Sequence, residues 1–209
     1  MLTLVPVVEG DGEVDAVPVL LRGILHYSLQ RFDVEVRRPK NAHGRGNLTR
    51  DDGIERFLKY ALKEPDAGGV LLLVDAEADV PCALACALRE RVVALTPSIP
   101  VAIVCAEVQY ESWFLDSIEA LRGKCGIRED VEWPRRHPPN PKAWLEQQMP
   151  EDRAYKETSD QPSLTSAIDF SLLHRRSRSF RRLQHAIEEL LNACDRGTAP
   201  VTPLRCNLE

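Results

Sequence analysis

The sequence predicts an α/β layered fold with a mostly parallel central sheet flanked by helices and a C-terminal helical extension. Three observations carry this expectation. Short apolar runs alternate with segments of helical period from residue 2 to residue 121, as in a β-α-β-α-β-α-β-α chain. Two of those runs, 69–74 and 100–105, are apolar throughout, the pattern of strands covered on both faces. The apolar runs also end in carboxylates (Glu9, Asp75, Glu107), on the side of a parallel sheet where ligands bind.

The elements follow in order. Leu2 to Val8 is a β-branched run closed by Glu9-Gly10-Asp11-Gly12, a strand and then a turn. Val17, Leu20, Leu21, Ile24, Leu25 and Leu29 recur at helical spacing, so 14–29 is a helix. Phe32 to Val36 alternates as a strand, and 37–50 is a polar loop rich in Arg, Lys and Gly. Asp51 or Asp52 is placed to cap a helix over 54–63. After the strand over 69–74 come a helix over 82–95, the strand over 100–105 and a helix over 111–121. From 126 to 163 proline and charge dominate, which predicts an irregular excursion with one short helix near 142–148. Helices are expected over 164–173 and 181–192. The organisation is thus an α/β core over 1–125, an extension over 126–196 completing the same domain, and a loosely ordered tail over 197–209.

Composition bounds the function classes. The chain has 209 residues, 44% hydrophobic and 28% charged, a soluble globular mixture large enough to bury a core unaided. Its net charge of −5 gives no overall affinity for nucleic acid, so any such contact rests on local basic patches. No apolar stretch reaches membrane-spanning length, and the N-terminus reads as a strand rather than a signal peptide; a cytoplasmic location is expected. The six cysteines form no CxxC pair and are expected reduced. No Walker-type loop and no Ser-His-Asp or Cys-His signature is present, so any ATPase activity belongs to a partner.

The carboxylates are the candidate chemistry. Glu9 and Glu13 follow the first strand, Asp75, Glu77 and Asp79 the central one, and Glu107 and Glu111 the next. Acids gathered on one sheet edge repel and raise one another's pKa values, and a hard divalent cation relieves that cost. An all-oxygen donor set points to Mg²⁺ or Mn²⁺ and away from zinc. The bland alternative is solvated loop carboxylates and helix starts.

The same residues carry a resemblance. Val8-Glu9-Gly10 after strand one, with Val74-Asp75-Ala76-Glu77-Ala78-Asp79 after the central strand, resembles a Toprim domain, whose triplet more usually has Asp where Glu77 stands. Glu111-Ser-Trp113, Tyr155-Lys156, Asp160-Gln161-Pro162 and Arg176-Ser-Arg-Ser-Phe180 are similar to motifs of a small bacterial Toprim-like family related to the OLD-type nucleases. The resemblance implies a Rossmann-like Toprim fold and a metal-dependent nuclease hydrolysing phosphodiester bonds, the effector of an anti-phage defence system with an ABC- or SMC-type ATPase partner. It implies Glu9, Asp75 and Glu77 as metal ligands, with Asp79 and Glu111 supporting a second ion; Glu13 joins the metal candidates by position. Glu9, Asp75 and Lys156 are the catalytic candidates, Lys156 standing beside the scissile phosphate. The alternative is a catalytically degenerate binding or regulatory subunit of an ATPase complex.

Two basic segments complete the expectation. Residues 174–182 hold five Arg and one His, suited to bidentate phosphate contacts or to pairing with the acids. Arg175, Arg176, Arg178 and Arg181 there, with Arg45 in the 37–50 loop, are the nucleic-acid candidates, DNA ahead of RNA. Trp113 is expected in the core, and Trp144 could stack on a base.

Overall fold

A computed structural model describes residues 1–204 and 206. The architecture is α/β, with a central parallel sheet covered by helices on both faces. The strands are β1 (Leu2–Val8), β2 (Val34–Val36), β3 (Lys40–Asn41), β4 (Ala67–Asp75), β5 (Val101–Ala106) and β6 (Val201–Thr202). The order across the sheet is β2-β1-β4-β5-β6, with β3 also on β1, and every pairing is parallel.

The period of two in β4 and β5 divides the core. Leu71, Leu73, Ala102 and Val104 face α1 (Asp11–Gly23), α5 (Ser112–Asp116), α8 (Glu157–Thr165) and α10 (Arg178–Asp195). Val70, Leu72, Val74, Ile103 and Cys105 face α2 (Arg45–Thr49), α3 (Gly53–Ala61) and α4 (Pro81–Val93). All nine of these strand residues are at most 5% exposed, which explains why the runs carry no polar position. Strand order reverses direction between β1 and β4, so the crevice at their C-terminal ends is the topological switch point of the sheet.

Several local expectations change. The 14–29 helix ends as α-helix at Gly23 and continues as a π turn over Ile24–Ser28, closed by the Leu29 amide on the Ile24 carbonyl. The 37–50 loop contains β3 and α2, because the chain turns back to extend the β1 edge. Asp52 occupies the N-cap of α3 in a left-handed conformation, with no side-chain cap bond. The 111–121 helix breaks at Ser117 into α5 and α6 (Ile118–Leu121). The excursion holds α7 (Pro141–Glu146) and the start of α8, and the expected 164–173 helix is instead the end of α8, a break, and α9 (Phe170–Arg176). Asp169 makes that break: its carboxylate accepts from the Ser171 and Leu172 amides and starts a new helix.

The tail is also more ordered than expected. Val201 and Thr202 pair with Val101 and Ala102 as a sixth strand. Cys86 on α4 and Cys206 form a disulfide, correcting the expectation of six reduced thiols. Residues 205 and 207–209 of the expected tail lie outside the described residues. Among the described residues, no helix is long and apolar enough to cross a membrane.

Candidate metal centre

Four of the six expected metal candidates, Glu9, Glu13, Asp75 and Glu111, line one cleft at the switch point. Glu9, Glu13 and Glu111 are 7%, 5% and 4% exposed. Asp75 ends β4 with its Oδ1 buried. Strand alternation puts Asp75 on the same face as Leu71 and Leu73, towards α1. Glu13, in the first turn of α1, folds back so that one carboxylate oxygen accepts from the Glu9 and Gly10 amides at 2.9 and 2.8 Å. Glu9 Oε1 accepts from the Asp75 amide at 2.8 Å, tying the ends of β1 and β4 together. Glu111 enters from the start of α5, where its Oε1 accepts from the Tyr155 hydroxyl at 3.1 Å and the Gln161 amide at 3.3 Å. These groups line a cleft of about 150 Å³ with Gly10, Gly12, Gly44, Gln109, Tyr110 and Glu157.

Burial sets the protonation of the cluster. Desolvation pushes Glu9 up to about 7, against the Asp75 amide bond and the positive charge of Arg45. It pushes Glu13 up to about 8, with the Glu9 and Glu111 charges adding to the rise. Asp75 is held well above the usual carboxylate range by desolvation and by Glu13, Glu9 and Glu111, in that order. Desolvation raises Glu111 as well, while Tyr155 and Lys142 favour its charged form. The cluster therefore retains protons at neutral pH that a divalent cation would displace.

The donor set fits such a cation. Glu13 Oε1 and Asp75 Oδ1 are buried without a hydrogen-bond partner, two hard carboxyl oxygens on residues that line one cleft. Among the described residues, no three His, Cys, Asp or Glu side chains converge as a ready-made cage. Glu9 and Glu13 each spend an oxygen on backbone amides.

Glu77 and Asp79 leave this group. Glu77 adopts φ 49°, a left-handed turn that carries the chain out of the strand line, and its side chain is half exposed. Both acids pair with Arg45, Glu77 at 3.3 Å, while Arg45 Nε donates to the Asp75 carbonyl at 3.0 Å. The expected Asp75-Glu77-Asp79 cluster is thus split: one acid is partly buried on the α1 face and two are exposed beside α2. Arg45, expected to meet phosphate, is occupied by carboxylates.

Lys156 is exposed at the N-cap of α8 and stands outside the cleft lining, although its neighbour Glu157 is within it. Lys142, which bonds Glu157 at 2.5 Å, is the cation that acts on Glu111. The Arg-rich segment divides as well. Arg176 makes a two-pronged pair with Glu119 at 2.6 and 2.8 Å and stacks 4.0 Å from the Trp133 ring, so it fastens the excursion to α6. Arg181 caps α9 by donating to the His174 and Arg175 carbonyls. Arg175 and Arg178 are exposed and, among the described residues, unpaired. Arg175 and Arg181 line a cleft with Tyr27 and Phe170. Tyr27 lies about 20 Å along the helix axis from Glu13, at about 1.5 Å per residue, so this basic face is apart from the carboxylates.

Four contributors went unread as site residues in the sequence: Tyr155, Gln161, Gln109 and Lys142. Tyr155 and Gln161 lay within quoted motifs, but their role depends on α8 packing against α1 and α5, which no local pattern reports. Trp113 is buried, with its indole N–H on Ser179 at 3.0 Å, and packs edge-on against Tyr110 and Phe180. Trp144 is partly buried against the same core.

No curated protein and no solved structure matches the chain. One family model, described as a domain of unknown function (DUF4276), matches residues 8–188 and so covers β2 to β5, all four carboxylates of the cleft and most of α10. The chain belongs to the DUF4276 family.

Proposed function

We propose that the chain is a Mg²⁺- or Mn²⁺-dependent phosphodiesterase of Toprim-like type acting on nucleic acid. The observation that carries this reading is the gathering of Glu9, Glu13, Asp75 and Glu111 at the switch point, three of them buried and Asp75 partly so, with two buried carboxylate oxygens lacking any donor. Buried, proton-retaining carboxylates at the ligand end of a parallel sheet are costly to stability and are explained by a cation. Glu13, Asp75 and Glu111 would hold the ion, and Glu9 would hold β1 against β4 and share its charge. When bound, such an ion polarises a phosphoryl oxygen and lowers the pKa of a coordinated water. Lys156, beside the cleft residue Glu157, has no side-chain partner among the described residues and has the reach to meet a phosphate. DNA is the favoured substrate, and an ABC- or SMC-type ATPase in a defence system the favoured partner.

The test is cleavage of labelled DNA and RNA by the purified chain with Mn²⁺, beside Asp75→Asn. Metal-dependent cleavage that Asp75→Asn abolishes is the expected result. Cleavage unchanged by that substitution would overturn the proposal. A second reading, a regulatory subunit without cleavage, draws support from Arg45 neutralising Glu77 and Asp79. Co-purification with an ATPase, without Mn²⁺ uptake in calorimetry, would favour it.

A further inference from the structure

A third unpartnered oxygen belongs to a residue that lines the cleft, and it is not an acid. Gln161 is 3% exposed, and its Oε1 is buried without a hydrogen-bond partner, as are Glu13 Oε1 and Asp75 Oδ1. The orientation of this amide is set by chemistry. Its Nε2 donates to Glu111 Oε1 at 3.3 Å, and turning the amide over would face two acceptors together. Oε1 is therefore the atom directed away from Glu111, against the α1 backbone at Gly12. Gly12 has no Cβ, and a Cβ there would strike the Gln161 oxygen and the Glu157 side chain. A buried carbonyl oxygen left without a donor costs about 1–3 kcal/mol. Nothing in α8 or α1 relieves that cost.

We infer that Gln161 Oε1 is a direct, neutral ligand of the divalent cation, completing an oxygen set with Glu13, Asp75 and Glu111. The inference rests on the metal reading above and adds a residue to it. Three carboxylates already exceed the charge of a divalent ion, and a fourth acid would add repulsion. A carbonyl oxygen adds coordination without charge. The acids by themselves do not converge as a cage among the described residues, and Gln161 supplies an oxygen from a helix they do not share. Gly12 is then the clearance that seats this amide between α8 and α1.

The test is Mn²⁺ titration of the full chain by calorimetry, with the number of inner-sphere waters on bound Mn²⁺ measured by water-proton relaxation. The variants are Gln161→Ala, Gln161→Glu and Asp75→Asn. Gln161→Ala is expected to weaken Mn²⁺ roughly 10- to 100-fold and to add a coordinated water. Gln161→Glu keeps an oxygen in place but gives up the donor to Glu111 and adds a like charge; it is expected to retain Mn²⁺ binding with an unchanged water count. Should Gln161→Ala not fold, Gln161→Glu decides alone. Binding by Gln161→Ala within twofold of wild type at the same water count would overturn the inference. Loss of binding in Gln161→Glu would also overturn it, by assigning Gln161 only the positioning of Glu111. Absence of Mn²⁺ binding by the wild type would overturn the metal reading itself. Loss in Asp75→Asn with no change in either Gln161 variant would overturn the Gln161 assignment alone.

Discussion

Replacing Glu9 by Gln tests whether the fold is held against the cost of a buried charge. Glu9 Oε1 accepts the Asp75 amide, and Gln retains that acceptor while removing the charge. Burial raises the Glu9 carboxyl from 4.5 to about 7. Below about pH 4.5 it is protonated in the folded and the unfolded chain alike, and its contribution to stability is fully present. Between about 4.5 and 7 only the unfolded chain releases the proton, so stability falls by about 1.4 kcal/mol per pH unit. Above about 7 the loss is complete, at roughly 3 kcal/mol, with desolvation of the Gln amide reducing what the substitution recovers. Glu9→Gln is therefore expected to leave stability near pH 4.5 almost unchanged. In EDTA at pH 8 it is expected to raise stability by about 1–3 kcal/mol, a Tm gain of about 2–10 °C for a chain of this size. Urea and thermal unfolding with EDTA at the two pH values are the assay. A variant that is less stable than wild type at pH 8 by as much as at pH 4.5 would show that the Glu9 carboxyl carries no burial cost.

Three further outcomes follow from the geometry. Arg176→Ala removes two bonds to Glu119, one to the Asp116 carbonyl and the stacking on Trp133; a loss of about 2 kcal/mol is expected in urea unfolding, with a change in Trp fluorescence. Arg45→Ala removes a cation that holds Glu9 down, so the Glu9 titration followed by carboxyl NMR is expected to move above about 7. Reduction of Cys86–Cys206, which closes a loop of 120 residues, is expected to cost about 2–4 kcal/mol, and Cys206→Ser is expected to reproduce the loss in the absence of reductant.

Much of the site was legible because its residues follow directly on strands. Glu9 and Asp75 are marked by the apolar runs before them, and Glu111 by the strand-loop-helix that leads to it. Glu77 and Asp79 misled because closeness in sequence was taken for closeness in space, whereas the left-handed turn at Glu77 directs them to Arg45. The arginines of 174–182 misled similarly, since a string of like charges does not say which members meet Glu119 or the end of α9.

The sequence by itself determined the alternation of strand and helix, the parallel buried sheet and the acid end of each central strand, because periods of two and 3.6 are written into neighbouring residues. The tertiary structure decided which carboxylates share the cleft, the pairing of β6 with β5, and the approach of Gln161 to Gly12 across about 150 residues. Those contacts arise from the packing of α8 on α1 and from the reversal of strand order at β1 and β4, and packing between distant elements leaves no periodic mark in the residues that make it.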